Sequence, residues 1–254
     1  MQDDRRAHLV LDPRRAVVVM GVVLAVLVAC HALALFILRG PGVEAFPAGA
    51  PLSRLLNMDG ETNLPAWWSV TLFTVGAVLC ACVAAGSREG PAQRWRRHWL
   101  LLSGILVFLS IDEGALIHEE LSRPLTRAFD LEASRWEFWA WTVPYTALGL
   151  LVLVVFGRFM LALPSSTRNH LLVAGAVFVA GAVGMEFVGR ELWNPFDPND
   201  GTYLAAVGIE ETLEIIGLTV MVRGLLVHLR DHVGPLRVGW GEPSRTLQEP
   251  RRGT

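Results

Sequence analysis

The chain has 254 residues, 52% of them hydrophobic and 18% charged, with a formal net charge of −2 and a positive mean hydropathy. A soluble domain of this length carries more charge and shorter apolar runs. All 22 basic residues are Arg, and no basic face interleaved with aromatics appears, which argues against nucleic acid as a partner.

Taken in order, the apolar runs predict six membrane spans near 16–38, 66–86, 99–120, 137–162, 170–189 and 203–228. Each is close to the ~20 residues a helix needs to cross a ~30 Å hydrocarbon core. The expected fold is all-α, a polytopic membrane helix bundle forming one domain over 1–230. A Gly-, Pro- and Arg-rich tail over 231–254 is expected to be disordered. The first span follows an Arg-containing head but is too long for a signal-peptide core, so it reads as an uncleaved anchor. Cys30, Cys80 and Cys82 all fall inside spans and read as small apolar residues rather than a disulfide framework.

Arginine distribution sets the orientation. Arg5, Arg6, Arg14 and Arg15 precede the first span, Arg88, Arg94, Arg96 and Arg97 follow the second, and five more fill the end of the chain from Arg230. Arg39, Arg54, Arg123, Arg127, Arg135 and Arg190 lie on the other side and are outnumbered. Both termini are therefore expected in the cytoplasm, with the protein in the cell inner membrane. Trp67 and Trp68, and Trp136, Trp139 and Trp141, then fall at outer interfaces as an aromatic belt.

With that orientation, the third span ends on LSIDEGALIHEE, residues 109–120, and places Asp112 to Glu120 in its outer third. Glu186 of the fifth span and Glu210, Glu211 and Glu214 of the sixth fall in the same half of the membrane, with His31 at a similar depth. On a continuous helix Asp112 and Glu119 share a stripe, Glu113 and Glu120 form a second one facing the interface or loop, and His118 points about 120° from Asp112. Glu210, Glu211 and Glu214 share one face, and Glu186 and Arg190 are spaced to pair. Ala174, Gly175, Gly181 and Gly184 allow a neighbouring helix to approach Glu186 closely.

An acid at the centre of a span costs about 2.5–3.5 kcal/mol even on lenient scales. Like charges this close cannot all ionise in low dielectric, so the cluster requires protons or a bound cation. A divalent metal is the economical choice: Mn, Fe, Zn, Mg or Ca, as one ion or a pair. The expected ligands are Asp112, His118, Glu119, Glu186, Glu210 and Glu214. The ligand inventory resembles that of carboxylate-bridged di-metal bundles, although their Glu-x-x-His pairs are missing. His118 or a spare carboxylate, Glu211, would act as acid or base. The outer loop over 51–69 carries Asp59, Glu61 and Asn63, expected as a lid, although turn chemistry also accounts for these residues.

The motifs NxDxExNxPxWxS over 57–69, SxDExxxxHE over 110–119, GxxGxE over 181–186 and EExxE over 210–214 together resemble an uncharacterised family of bacterial multi-pass membrane proteins. That resemblance covers spans two to six and implies no activity. Three functions compete. A metal-dependent enzyme would act on a lipid or periplasmic small molecule beside the lipid bilayer. A proton or divalent-cation transporter or channel would need polar groups in the inner half too, where runs such as LLVLVVF and VVVMGVV are aliphatic. A non-catalytic assembly or sensing role is the third.

Overall fold

Inside hydrocarbon a backbone must satisfy its own polar groups, and the helix does so within one segment. The computed structural model describes residues 12–39, 49–60, 62–87, 90–130, 142–194, 196–197 and 200–234, and among them every regular element is helical. The long helices are α1 (Pro13–Arg39), α3 (Leu64–Gly86), α4 (Arg96–Ala115), α6 (Thr142–Ala162), α7 (Ser165–Val179) and α9 (Gly201–His228). Shorter ones are α2 (Gly49–Leu56), α5 (Ile117–Ala128) and α8 (Glu186–Leu192). A π-helical turn, Ala180–Met185, joins α7 to α8 into one continuous span, and a second, Leu229–Val233, ends α9. Six helices are long and apolar enough to cross a membrane, and the protein is a multi-pass membrane protein. Residues 235–254 lie outside the described residues, as do Trp136, Trp139 and Trp141 of the expected belt. Trp67 of that belt is exposed beside the first turn of α3.

Helix α9 is the centre of the bundle. It packs on α7, α3 and α1 and contributes Leu204, Ile215, Leu218 and Leu225 to the buried core. Its glycines make that approach possible. A Cβ on Gly217 would meet the Ala174 carbonyl and the Phe178 backbone nitrogen at 2.9 Å, and one on Gly224 would meet His170 at 2.5 Å. On the facing helix only part of the expected small-residue stripe is used. Ala174 and Gly181 are buried, whereas Gly175 and Gly184 face open space. The helix-on-helix contact therefore relies more on α9, whose glycines the sequence reading passed over.

Register fixes the levels. Helices α3 and α9 run parallel, with Gly76 against Met221 and Gly86 against Val233. Two turns toward the end opposite Pro13 and Val233, called distal here, Ser69 stands level with Glu214. Helices α3 and α4 are antiparallel, joined by a polar seam in which Ser103 Oγ donates to the Ala77 carbonyl at 2.8 Å and Ser110 Oγ to that of Val70 at 3.1 Å. Thr74 joins Ser110 at 3.0 Å. Asp112, close beyond Ser110, thus sits at the same depth as Glu214.

The proximal end is less aliphatic than its sequence runs suggest. Thr167 Oγ1 bonds His228 Nδ1 at 2.9 Å, and Arg223 contacts His170. His98 stacks on the fully buried Phe159, with Trp95 edge-on to His98 and Trp99 edge-on to Phe159. This aromatic knot attaches α6, which otherwise presents Leu150, Leu151, Leu153 and Val154 to lipid.

Gly217→Ala forces a methyl group against α7 backbone, whereas Gly175→Ala adds one to open space. Thermal melting in detergent should show a loss of about 1–3 kcal/mol for the first and little or no loss for the second.

Candidate functional site

The third span does not run to residue 120. Helix α4 ends at Ala115 because Leu116 adopts a left-handed conformation, φ 57°, and α5 begins at Ile117 in a new direction. The continuous stripe through Asp112 and Glu119 is therefore broken. A bulky residue at positive φ is uncommon and occurs where surrounding contacts over-determine it. Here the contacts come from Asp112, in the last turn of α4. Its Oδ1 accepts from the backbone N–H of His118 at 3.0 Å, and its Oδ2 lies 3.2 Å from His118 Nδ1. His118 does not point away from Asp112; the break swings it back onto that carboxylate.

A third donor completes the set. The Tyr145 hydroxyl, near the start of α6, donates to Asp112 Oδ1 at 2.7 Å, and its ring stands edge-on to His118 with centroids 6.2 Å apart. Asp112 is buried, at 6% exposure, and both of its oxygens have protein partners. A carboxylate facing Nδ1 favours the tautomer that carries its proton there, which places the imidazole lone pair on Nε2. Glu113 lies within the electrostatic field of both Asp112 and His118. Glu119 follows on α5 with its side chain outside the described residues, and Glu120 is exposed.

The second group of polar residues gathers around Tyr203, in the first turn of α9. Its hydroxyl bonds the Asp59 carboxyl, and the charges of Glu186 and Glu210 also act on it. The three acids come from three segments: the turn after α2, the start of α8 and α9. Glu186, Glu210, Glu211 and Glu214 are all half-buried and engaged with neighbours. Gly181, in the π turn, is pressed against this group; a Cβ there would meet the Glu210 carbonyl at 2.9 Å and Glu214 Cγ at 3.0 Å. The extra residue of the π turn changes the register just before Glu186.

Two residues of the expected lid prove structural or fall outside view. Asn63 caps α3: its Oδ1 accepts from Ala66 N–H at 2.8 Å, and its Nδ2 donates to the Asn57 carbonyl at 2.6 Å and to that of Gly60. Glu61 lies outside the described residues. His31 is a pin between three segments. Its Nδ1 accepts from Met58 N–H at 3.0 Å, which leaves Nε2–H to donate to the Leu204 carbonyl at 3.1 Å. Gly208 provides the space, since a Cβ there would stand 2.7 Å from His31 Nε2. The loop is thereby fastened over the distal ends of α1 and α9.

Both tyrosines of the chain donate to an aspartate, Tyr145 to Asp112 and Tyr203 to Asp59. Neither lies in one of the motifs described above. The available signal was their scarcity beside 11 Phe and 9 Trp: a hydroxyl spent twice only, each time in the first turn of a span. Of the acidic loop before α9, Asp200 is the helix cap, taking Thr202 N–H at 2.9 Å and Tyr203 N–H at 3.1 Å. The Thr202 hydroxyl bond, aided by Tyr203 N–H, holds Asp200 below the usual carboxylate range. Among the described residues, no group of three or more His, Cys, Asp or Glu is arranged to hold a metal ion.

A family model described as a domain of unknown function, DUF8692, matches residues 16–229. No curated protein and no solved structure matches the chain.

Asp59 is exposed as a residue, yet its carboxyl is packed against its neighbours. Burial raises it above its ordinary value of 3.8, against the opposing pull of the Tyr203 hydroxyl and His31. A carboxyl raised in the folded state binds its proton more tightly there, so its contribution is full below 3.8 and is lost as pH climbs through the raised value. Melting followed from pH 3.5 upward should show this decline in the wild type and a flatter profile in Asp59→Asn.

Proposed function

The chain belongs to the DUF8692 family, whose description assigns no activity, and from that premise we propose that it is a membrane-embedded enzyme of acid–base type whose working group is His118. The observation that carries this reading is the Asp112 carboxylate, which takes His118 N–H, His118 Nδ1 and the Tyr145 hydroxyl at a helix break. A carboxylate that orients an imidazole and stabilises its protonated form is the arrangement general bases use. Asp112 fixes the ring, Tyr145 fixes Asp112, and Nε2 takes the proton from the substrate. The imidazolium so formed gives the proton back to the leaving group, with Glu113 the nearby acid; Glu211 is the spare carboxylate we assign as a second acid or base.

The arginine distribution supports placing both termini in the cytoplasm and the distal end at the outer face of the cell inner membrane. The substrate is then a lipid or a periplasmic small molecule that reaches the site from that side. A divalent ion, Mn, Fe, Zn, Mg or Ca, is the counter-charge we assign to the acids around Tyr203. What favours it is charge: the Tyr203 hydroxyl that bonds Asp59 also lies in the field of Glu186 and Glu210. Asp112 and His118 form the separate dyad instead, Glu119 remains a proposed ligand, and Glu214 borders the acids at Gly181.

Transport of protons or divalent cations is the second reading. The polar pairs Thr167–His228 and Arg223–His170 favour it, because they extend polar groups to the proximal end of α7 and α9.

Purified protein in nanodiscs, offered phospholipids and lipid-linked substrates, should release products detectable by mass spectrometry. His118→Gln should slow release by about 10²–10⁴-fold. Asp112→Asn should slow it as well, while Tyr145→Phe costs less. Wild-type rates in His118→Gln would overturn the enzymatic reading.

Elemental analysis of the detergent-purified protein addresses the ion separately. Near-stoichiometric metal in the wild type, lost in Glu210→Gln, is the expected result; equal trace metal in both removes the ion from the proposal.

A further inference from the structure

At the distal surface, helix α2 and the turn after it line an open cavity of about 510 Å³, within the range that holds small ligands. Arg54 and Asp59 line it with opposite charges, Asn57 and Thr62 add polar groups, and Pro51 and Leu55 form an apolar wall. The exposed side of α2 combines Pro51, Arg54 and Leu55, while Ser53 and Leu56 are buried beneath. A short helix that shows apolar side chains and an arginine to its surroundings suits the boundary between head groups and acyl chains.

The cavity floor is held in place before any ligand arrives. Asn57 Oδ1 accepts from Asp59 N–H at 3.2 Å, Met58 is fastened to His31 at 3.0 Å, and Asn63 bonds the Asn57 and Gly60 carbonyls. The Asp59 carboxyl is oriented by the Tyr203 hydroxyl, which also lies in the field of Glu186 and Glu210. One side chain therefore belongs both to the surface cavity and to the acids beneath it.

We infer that this cavity seats the head group of a zwitterionic phospholipid, with the phosphate on Arg54, the ammonium on Asp59 and the glycerol end against Pro51 and Leu55. The inference rests on the reading that the site below acts on a lipid, and it names the class of that lipid. An arginine fork matches phosphate oxygens bidentately, and a carboxylate matches a primary ammonium. An anionic head group without an ammonium would satisfy Arg54 and be repelled by Asp59. A soluble phosphate would leave the apolar wall without a partner.

Native mass spectrometry of delipidated protein, titrated with phosphatidylethanolamine, phosphatidylglycerol, diacylglycerol, phosphoethanolamine and inorganic phosphate, tests this. The wild type should retain phosphatidylethanolamine in preference to all the others. Arg54→Gln, an exposed position where folding is not at risk, should weaken that binding about tenfold, the loss of one charge-assisted contact. Asp59→Asn should bring phosphatidylethanolamine down to the level of phosphatidylglycerol. Equal retention of the three lipids by the wild type, or unchanged binding in Arg54→Gln, overturns the seat. Binding of phosphoethanolamine or phosphate as tight as that of the whole lipid overturns the lipid assignment. Selective retention without any product sinks the enzymatic reading alone. His118-dependent turnover with unselective retention sinks the head-group seat alone.

Discussion

A carboxylate inside a hydrocarbon layer keeps its charge only if the protein supplies the donors that water would have supplied. Asp112 shows how far this requirement shapes the chain. It draws a backbone N–H and an imidazole from α5 and a hydroxyl from α6, so three helices meet at one side chain. The left-handed Leu116 follows from it, because only a sharp turn brings His118 back within 3.2 Å of a residue six positions earlier. The acids around Tyr203 obey the same rule with different means: a π turn, a glycine contact and a hydroxyl bridge from Asp59.

Packing and polarity are arranged at right angles to each other. In the membrane plane, the glycines of α9 set how near α7 and α1 come. Along the membrane normal, the level shared by Ser69, Asp112 and Glu214 sorts polar groups into one distal layer, with the leucines and Phe73 of the core below. The distal loop does not float above this layer. His31, Asn63 and Asp59 each fasten it at a different point, so its shape is part of the scaffold.

Much of the architecture was legible because hydropathy and length determine spans directly. Each of the six expected spans overlaps one long observed helix, the expected start of the fourth at 137 lies outside the described residues, and the sixth, expected to end at 228, continues through a π turn to Val233. The third span was misjudged at its end for a physical reason. Gly114 only weakens the helix; the residue that turns is Leu116, a strong helix former, and its turn is imposed by a tertiary bond to Asp112. The same limit hid the Asp112–His118 contact, because a stripe computed for an unbroken helix sends the two apart. His31 was recognised by depth but not by role; its two partners come from Met58 and Leu204, the latter 173 residues away. Asn63, expected as part of a lid or as turn chemistry, is the cap of α3, a role that its place just before Leu-Pro suits.

The bond from His31 to Leu204 has a consequence for biosynthesis. The chain is made from its first residue onward, so α1 and the distal loop enter the membrane long before α9 exists. During that interval His31 lacks its carbonyl, Asp59 lacks the Tyr203 hydroxyl, and the glycine contact of Gly208 is unfilled. The last span closes all three at once. The head-group cavity and the acids beneath it are therefore completed together, and a chain interrupted before α9 carries its polar residues without the geometry that gives them work to do.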